Sequence, residues 1–210
     1  MIKKNNFRIS AILIVIIASG CASSVSIKDT VIPKPHFKKL PLIVALRIPP
    51  EFNNFVHKEN VLGQKSWSIN LGSSNATLFK QVFKYMFDDL ILIGPKEDAS
   101  NYIFDALIEP KIEGFEFSVP SQSKTDAFVV WIRYQIKIFD NKGSDFSTWT
   151  VSAYGKSHLK GLGKQKSLQR AANLAMRDAA ALILLQMNKV TKIGTLNSRS
   201  IEPETMIQEK

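Results

Sequence analysis

The chain has 210 residues and a formal net charge of +10, with 45% hydrophobic and 22% charged residues. This balance excludes an intrinsically disordered protein, and the length fits one domain with flanking segments. The chain has one cysteine, which excludes an intrachain disulfide, so folding must depend on a hydrophobic core.

The first 20 residues are typical of a secretory signal peptide. A basic segment at 3–8 precedes an apolar segment at 9–17, and small residues then lead into Cys21. The apolar segment is shorter than the roughly 20 residues that a transmembrane helix needs, although an uncleaved anchor remains the alternative. The order resembles that of bacterial lipoproteins, in which this cysteine is lipidated and becomes the first residue. Cys21 is therefore the predicted lipid-attachment site.

Residues 21–40 are predicted to be a lipidated tether, because serine, proline and lysine interrupt any periodicity there. Loss of Lys3, Lys4 and Arg8 with the signal peptide would lower the formal charge from +10 to about +7. Such an excess favours acidic partners. For an exported protein we expect an anionic lipid or lipopolysaccharide surface and no nucleic acid, the alternative being that the charge only maintains solubility.

A single domain is predicted over residues 41–190, beginning with a strand at 42–48. The connection at 51–74 is long for a loop, which is typical of a functional loop or of hidden structure. Alternation around Trp67 indicates a short strand within it. Phe52 and Phe55 either fold back onto the core or, with Trp67, form a candidate partner-binding loop.

The remainder of the domain alternates from helix to strands to helix. The expected elements are a helix at 76–89, a buried strand at 91–93, three long strands at 102–119, 128–138 and 148–154, and a helix at 167–187. The alternating apolar residues change from even-numbered to odd-numbered positions after Gly114, and this shift predicts a β-bulge. A disordered tail is expected over 191–210.

This order predicts an α+β fold: a single antiparallel or mixed sheet of four to five strands, with two helices packed on one face.

The sequence carries no recognisable catalytic or metal-binding motif. The three histidines, His36, His57 and His158, lack the spacing of a zinc-binding helix, and the sole cysteine is assigned to lipid. The glycine-lysine pairs at 155–156 and 163–164 lack the remaining residues of a phosphate loop. We therefore predict no metal, no cofactor and no catalytic residue; a hydrolase using His57 and His158 is the enzymatic alternative.

Basic residues concentrate between the last strand and the last helix, where glycines are interspersed. These candidate anion-binding residues are Lys156, Lys160, Lys164, Lys166 and Arg170. A glycine-containing loop that enters a helix N-terminus offers backbone N–H groups and positive charge to an anion. A solvated connection without a ligand is the alternative.

The element order over 41–188, together with the lipoprotein-like segment at 1–21, resembles the lipopolysaccharide-assembly lipoproteins of the LptE type. It is also similar to auxiliary lipoproteins of envelope ABC transporters and to curli-type secretion lipoproteins. This resemblance implies a non-enzymatic accessory or scaffold subunit of an envelope machine. Ala22, rather than Asp, after the cysteine resembles an outer-membrane sorting signal. The alternatives are a periplasmic hydrolase and a freestanding binder of an envelope polymer.

Overall fold

A computed structural model describes residues 23–28, 31–36, 38–61, 66–123, 125–159 and 161–193. The predicted signal peptide, the lipid-attachment residue Cys21, the candidate anion-binding residue Lys160 and positions 194–210 of the predicted tail lie outside these residues. The first three residues of that predicted tail, 191–193, are helical, because the last helix continues to Ile193.

The described part of the chain contains eight strands and four helices. The strands are β1 Ser23–Ser26, β2 Leu40–Arg47, β3 Val56–Asn60, β4 Ser66–Asn70, β5 Phe87–Ile93, β6 Ala106–Ser118, β7 Ala127–Asp140 and β8 Asp145–His158. The helices are α1 Pro50–Asn53, α2 Gly72–Met86, α3 Pro120–Ser123 and α4 Lys164–Ile193, with a 3-10 turn at Ala99–Asn101.

The main sheet has five strands in the order β5-β2-β6-β7-β8. Strand β2 pairs in parallel with both of its neighbours, β5 and β6. Strands β6, β7 and β8 form an antiparallel meander. The two long helices, α2 and α4, pack on this sheet. The predicted α+β class, with a mixed sheet and two helices, is confirmed.

Strand β7 shows why the sequence folds in this way. Its even-numbered apolar residues from Phe128 to Ile138 are buried on the helix-covered face, while Trp131 and Arg133 point to the opposite face and are exposed. The predicted bulge is also present, since the register with β7 shifts between Ile112 and Gly114 of β6.

A second sheet of three short strands, in the order β1-β4-β3, was not predicted as a separate unit. Strand β4 is the short strand that the alternation around Trp67 indicated. Strand β1 lies within the segment predicted as a tether and pairs in parallel with β4 from Ser23 to Ser26. Val25, Ile27 and Ile32 are buried, so this part of the predicted tether packs on the domain.

The centre of the core joins α1, α2 and β7 through aromatic contacts. Phe79 packs edge-on against Phe52, with ring centroids 5.0 Å apart, and against Tyr134 at 5.3 Å. The Tyr134 hydroxyl donates to Oδ1 of the buried Asn75 at 2.6 Å. Complete burial raises the pKa of Tyr134, so this hydroxyl remains a hydrogen-bond donor.

The two edges of the main sheet differ. At the β8 edge, α4 lies against the strand and the Tyr154 amide donates to the Asp178 carboxylate of that helix at 3.0 Å. At the other edge, β5 pairs with β2 on one side only. The β8 edge is therefore partly covered by α4, and the β5 edge is the more accessible template for another strand.

Among the helices of the described residues, none combines the length and the apolar character that crossing a membrane requires.

Candidate functional site

Three parts of the chain meet at one end of the domain, which we call the α4 end: strand β1, the end of β8 and the first two turns of α4. The Ser167 hydroxyl donates to the His158 carbonyl at 3.2 Å, which holds the start of α4 against the end of β8. The Gln169 side-chain amide donates to the Ser26 carbonyl at 3.2 Å, which holds β1 against the same helix.

Four of the five candidate anion-binding residues are described, and all four are exposed at the α4 end. Lys164, Lys166 and Arg170 lie on the first two turns of α4. Lys156 lies on the opposite side of the sheet, because inward-facing Gly155 and Ser157 alternate with it along β8. The residues thus share one end of the molecule but spread over its surface instead of converging in a pocket.

The turn before α4 depends on glycine. Gly161 and Gly163 have φ angles of 79° and 74°, a left-handed conformation that glycine adopts without the steric cost of a side chain. The glycines in the basic segment therefore shape the entry to α4.

The three aromatic residues of the candidate partner loop are positioned by the core. Phe52 and Trp67 have exposed fractions of 1% and 4%, and Phe55 is half-buried against the same core. The Trp67 ring lies 5.9 Å from the rings of both Phe117 and Phe128. These rings fold back onto the core, the alternative that the sequence left open, and the structure does not present Phe52 or Trp67 to a partner.

The two histidines of the hydrolase alternative have separate carboxylate partners. His57 Nε2 lies 2.9 Å from Glu59, with its ring 4.9 Å from that of Phe115. His158 Nδ1 lies 2.7 Å from Asp126 at the α4 end. Within the ranges that the structure describes, no group of three His, Cys, Asp or Glu residues is placed to hold a metal ion.

A groove that sequence reasoning missed follows the accessible edge of the main sheet. Two open clefts of about 440 and 460 Å³ flank β5 and share Lys80 of α2 and Leu92 of β5. Leu92 is 51% exposed, and Lys84 and Lys39 line the second cleft. We call this region the β5 groove; it is apolar at its base, and it bears Lys80 and Lys84 along the α2 side and Asp88 and Asp89 along β5.

One wall of the β5 groove is fixed by the turn after β5. The Glu97 carboxylate accepts from the Gly94 amide at 2.9 Å and from the Tyr102 hydroxyl at 2.8 Å. These two donors hold the pKa of Glu97 below its ordinary value, the amide contributing more. The hydrogen bond from the Tyr102 hydroxyl to Glu97 also raises the pKa of Tyr102.

A third cleft, of about 340 Å³, lies on the sheet face away from the helices, above the bulge in β6. Trp131 and Tyr154 are 44% and 45% exposed and their ring centroids are 5.5 Å apart. Trp131, Glu116, Arg133 and Ser152 line this cleft, and Tyr154 lies beside it through its contact with Trp131. A tryptophan at an outward position of an otherwise regular alternating strand is the feature of the sequence that could have identified it.

No protein-family model matches the chain, and no curated protein matches it in sequence. Solved structures do match. A Xanthomonas campestris protein of the DUF330 family superposes with a TM-score of 0.51 at 9% identity, covering 82% of this chain and 96% of that protein. At this identity the similarity concerns the fold alone.

Two other matching structures are bacterial lipoproteins. A minor lipoprotein from Acinetobacter baumannii gives a TM-score of 0.42 at 11% identity over 72% of this chain and 94% of its own. Lipoprotein B from Nitrosomonas europaea gives 0.41 at 14% identity over 74% of this chain and 88% of its own.

Proposed function

We propose that the chain is a non-enzymatic lipoprotein, anchored through Cys21 at the periplasmic face of the outer membrane. It acts as an accessory or scaffold subunit of an envelope transport, assembly or secretion machine. The observation that carries this proposal is the single cysteine at the end of a signal-peptide pattern, two positions before the first strand of the folded domain. The resemblance of its element order to accessory lipoproteins supports the same role.

The β5 groove supplies a docking surface for a protein partner. An edge strand with unpaired backbone groups can accept an additional strand, and neighbouring pockets then select its side chains. Because α4 partly covers the β8 edge, β5 is the more accessible edge of the main sheet for an additional strand. Lys80 and Lys84 of α2 favour acidic residues on the side of a partner strand that faces this helix, whereas Asp88 and Asp89 of β5 favour basic residues beside them.

Replacement of the cysteine tests the anchor. Cys21→Ser is expected to abolish incorporation of labelled palmitate and to shift the chain from the membrane fraction to an unprocessed or soluble form, because hydroxyl oxygen does not replace the thiol as lipid acceptor. Ser24→Ala, at a neighbouring exposed position, should leave labelling and fractionation unchanged. A processed Cys21→Ser chain that stays in the washed membrane fraction would refute lipid anchoring.

Crosslinking in the native envelope tests the accessory role. The wild-type chain should be recovered with a reproducible set of envelope proteins, identified by mass spectrometry. Leu92→Lys places a charge in the β5 groove and should reduce that recovery about tenfold, since one lost contact of about 1.4 kcal/mol has this effect. The matched variant Leu185→Lys, at a leucine of α4 that is 63% exposed, should retain it. Equal recovery with both variants would contradict docking at β5.

The cleft beside Trp131 and Tyr154 favours one second candidate, a freestanding binder of an envelope polymer. Exposed aromatic rings present apolar faces on which sugar rings stack, and the neighbouring charged and hydroxyl groups supply hydrogen bonds. Recovery of the chain without any protein partner in the crosslinking experiment would favour this candidate over the accessory role.

A further inference from the structure

We propose that the α4 end faces the anionic phospholipid surface of the bilayer that holds the lipid of Cys21, so that the domain has one fixed orientation on the membrane. This inference rests on the lipid anchor of the proposed function. Beyond the anchor, this inference specifies that the α4 end contacts the membrane, that anionic phospholipid is what it contacts, and how the domain is oriented on the bilayer.

The distance along the chain from the lipid to the folded domain is the first support. Ser23 is already paired with Trp67 of β4, and two residue steps from Cys21 to Ser23 span at most about 7 Å. The Trp67 ring packs against Phe117 and Phe128, which lie close to the end of β6 and the start of β7. The lipid must therefore enter the bilayer near this end of the domain.

The course of the following segment gives the direction. The Ser26 carbonyl accepts from Gln169 at 3.2 Å, and the Val31 carbonyl accepts from Arg177 at 3.3 Å. Between these contacts α4 rises by about 12 Å, at 1.5 Å per residue. The segment thus runs from the start of α4 towards its C-terminus, and its earlier residues, including Ser23, lie towards the beginning of the helix.

The charge at this end is the second, independent support. Residues 155–170 contain five lysines and arginines and no acidic residue, and the nearby carboxylates of Asp126, which pairs with His158, and of Glu59, opposite Trp67, offset part of this charge. Lys164, Lys166 and Arg170 are exposed there. At the far end of the main sheet, the β7–β8 turn carries Asp140 and Asp145 around a single lysine, Lys142. The charge distribution therefore favours contact of the α4 end, and not of the opposite end, with an anionic surface.

Each basic residue near an anionic bilayer raises the partitioning of a protein from solution onto that bilayer about fivefold. A lipid that enters the membrane beside these residues keeps them close to the headgroups. Contact with a bilayer requires exposed basic side chains and no cavity. The exposed basic residues spread over the α4 end meet this requirement.

Amine labelling of the lipidated full-length protein tests the orientation. The chain is reconstituted in vesicles of phosphatidylglycerol and phosphatidylethanolamine, in phosphatidylcholine vesicles and in a nonionic detergent, then acetylated briefly and digested. Labelling of Lys164 and Lys166 should fall about fivefold or more from detergent to the anionic vesicles, in line with the attraction expected per charge. Lys96 and Lys142, in exposed turns away from the α4 end, should be labelled equally in all three.

A charge-reversal pair provides the matched control, with Lys156 as the reporter. Lys164→Glu with Lys166→Glu should remove the protection of Lys156 in anionic vesicles, whereas Lys96→Glu with Lys142→Glu should preserve it. Thermal unfolding of both variants verifies that they are folded, since all four positions are exposed.

The same digests separate failure of the anchor from failure of the orientation. An N-terminal peptide without lipid mass at Cys21 would overturn both the anchor and this inference. A lipidated peptide together with protection of Lys142, or with undiminished labelling of Lys164, would overturn the orientation alone. Equal protection in phosphatidylcholine and anionic vesicles would overturn the selection of an anionic surface.

Discussion

Gly155→Ala is expected to destabilise the domain by about 3 kcal/mol, at the upper end of the usual cost of overpacking a core. Helix α4 crosses β8 so closely at this position that a Cβ atom on residue 155 would overlap the Ala171 carbonyl oxygen and the Ala175 amide nitrogen. Both atoms belong to the helix backbone, so no side-chain rotation relieves the overlap. The helix would have to move away from the sheet along its most closely packed turn.

Urea denaturation followed by circular dichroism measures the effect of Gly155→Ala, and a fall of about 6–12 °C in the melting temperature should accompany it. Gly114→Ala on β6 is the matched control, because the nearest atom to its added Cβ, in Arg133, is 3.9 Å away. The control should unfold within about 1 kcal/mol of the wild type. Equal stability of the two variants would contradict the close approach of α4 to β8.

Phe79→Ala is expected to cost about 3–5 kcal/mol of unfolding free energy, the usual range for deletion of a buried phenylalanine. Phe79 is 0% exposed. Its ring joins three elements, contacting Phe52 of α1, Phe83 of α2 and Tyr134 of β7 at centroid distances of 5.0, 5.8 and 5.3 Å. Deletion leaves a cavity that close-packed aromatic neighbours cannot fill without leaving their own contacts.

Calorimetry or denaturant titration tests Phe79→Ala. Phe79→Leu retains most of the apolar volume and should recover more than half of the loss. Leu185→Ala, at an exposed position of α4, should change the stability by less than about 0.5 kcal/mol. A Phe79→Ala protein as stable as Leu185→Ala would show that this ring does not hold α1, α2 and β7 together.

The sequence predicted the main sheet because its strands are long and half-buried. Over the length of β7, alternation of buried and exposed residues has many repeats and cannot be mistaken for a helix. The same reasoning missed β1 as a strand, because four residues, Ser-Ser-Val-Ser, contain a single buried apolar side chain. Its strand conformation comes from pairing with β4 and from burial of Ile27 further along, which are long-range contacts.

The boundaries of α2 show a similar limit. The helix begins at Gly72, before the predicted start at residue 76, and ends at Met86, before the predicted end at 89. Phe87 and Leu90 continue an apolar pattern that fits a helix, but Phe87 starts β5, which pairs with β2. Tertiary pairing overrides local periodicity here.

The candidate site was only partly accessible to sequence reasoning. The basic residues between 156 and 170 that the structure describes are exposed, as in the solvated connection that the sequence left open. The contact of Gln169 in this segment with Ser26 of β1 could not be foreseen, because the two residues are distant in sequence. The β5 groove is formed by Leu92, Lys80 and Lys39, which are distant in sequence and share no motif. A groove between a helix and an edge strand arises from topology.

The Asp178 carboxylate accepts from the Tyr154 amide, and this contact would limit the association of molecules that the proposed anchor crowds on a membrane. Confinement to two dimensions raises the local concentration and, with it, the rate of edge-to-edge encounters between sheets. If both edges were accessible, each encounter could extend a growing ribbon of molecules. Because α4 partly covers β8, edge-to-edge pairing of the main sheets is directed to β5, and pairing of β5 with β5 joins two molecules and leaves no further β5 edge to extend such a ribbon.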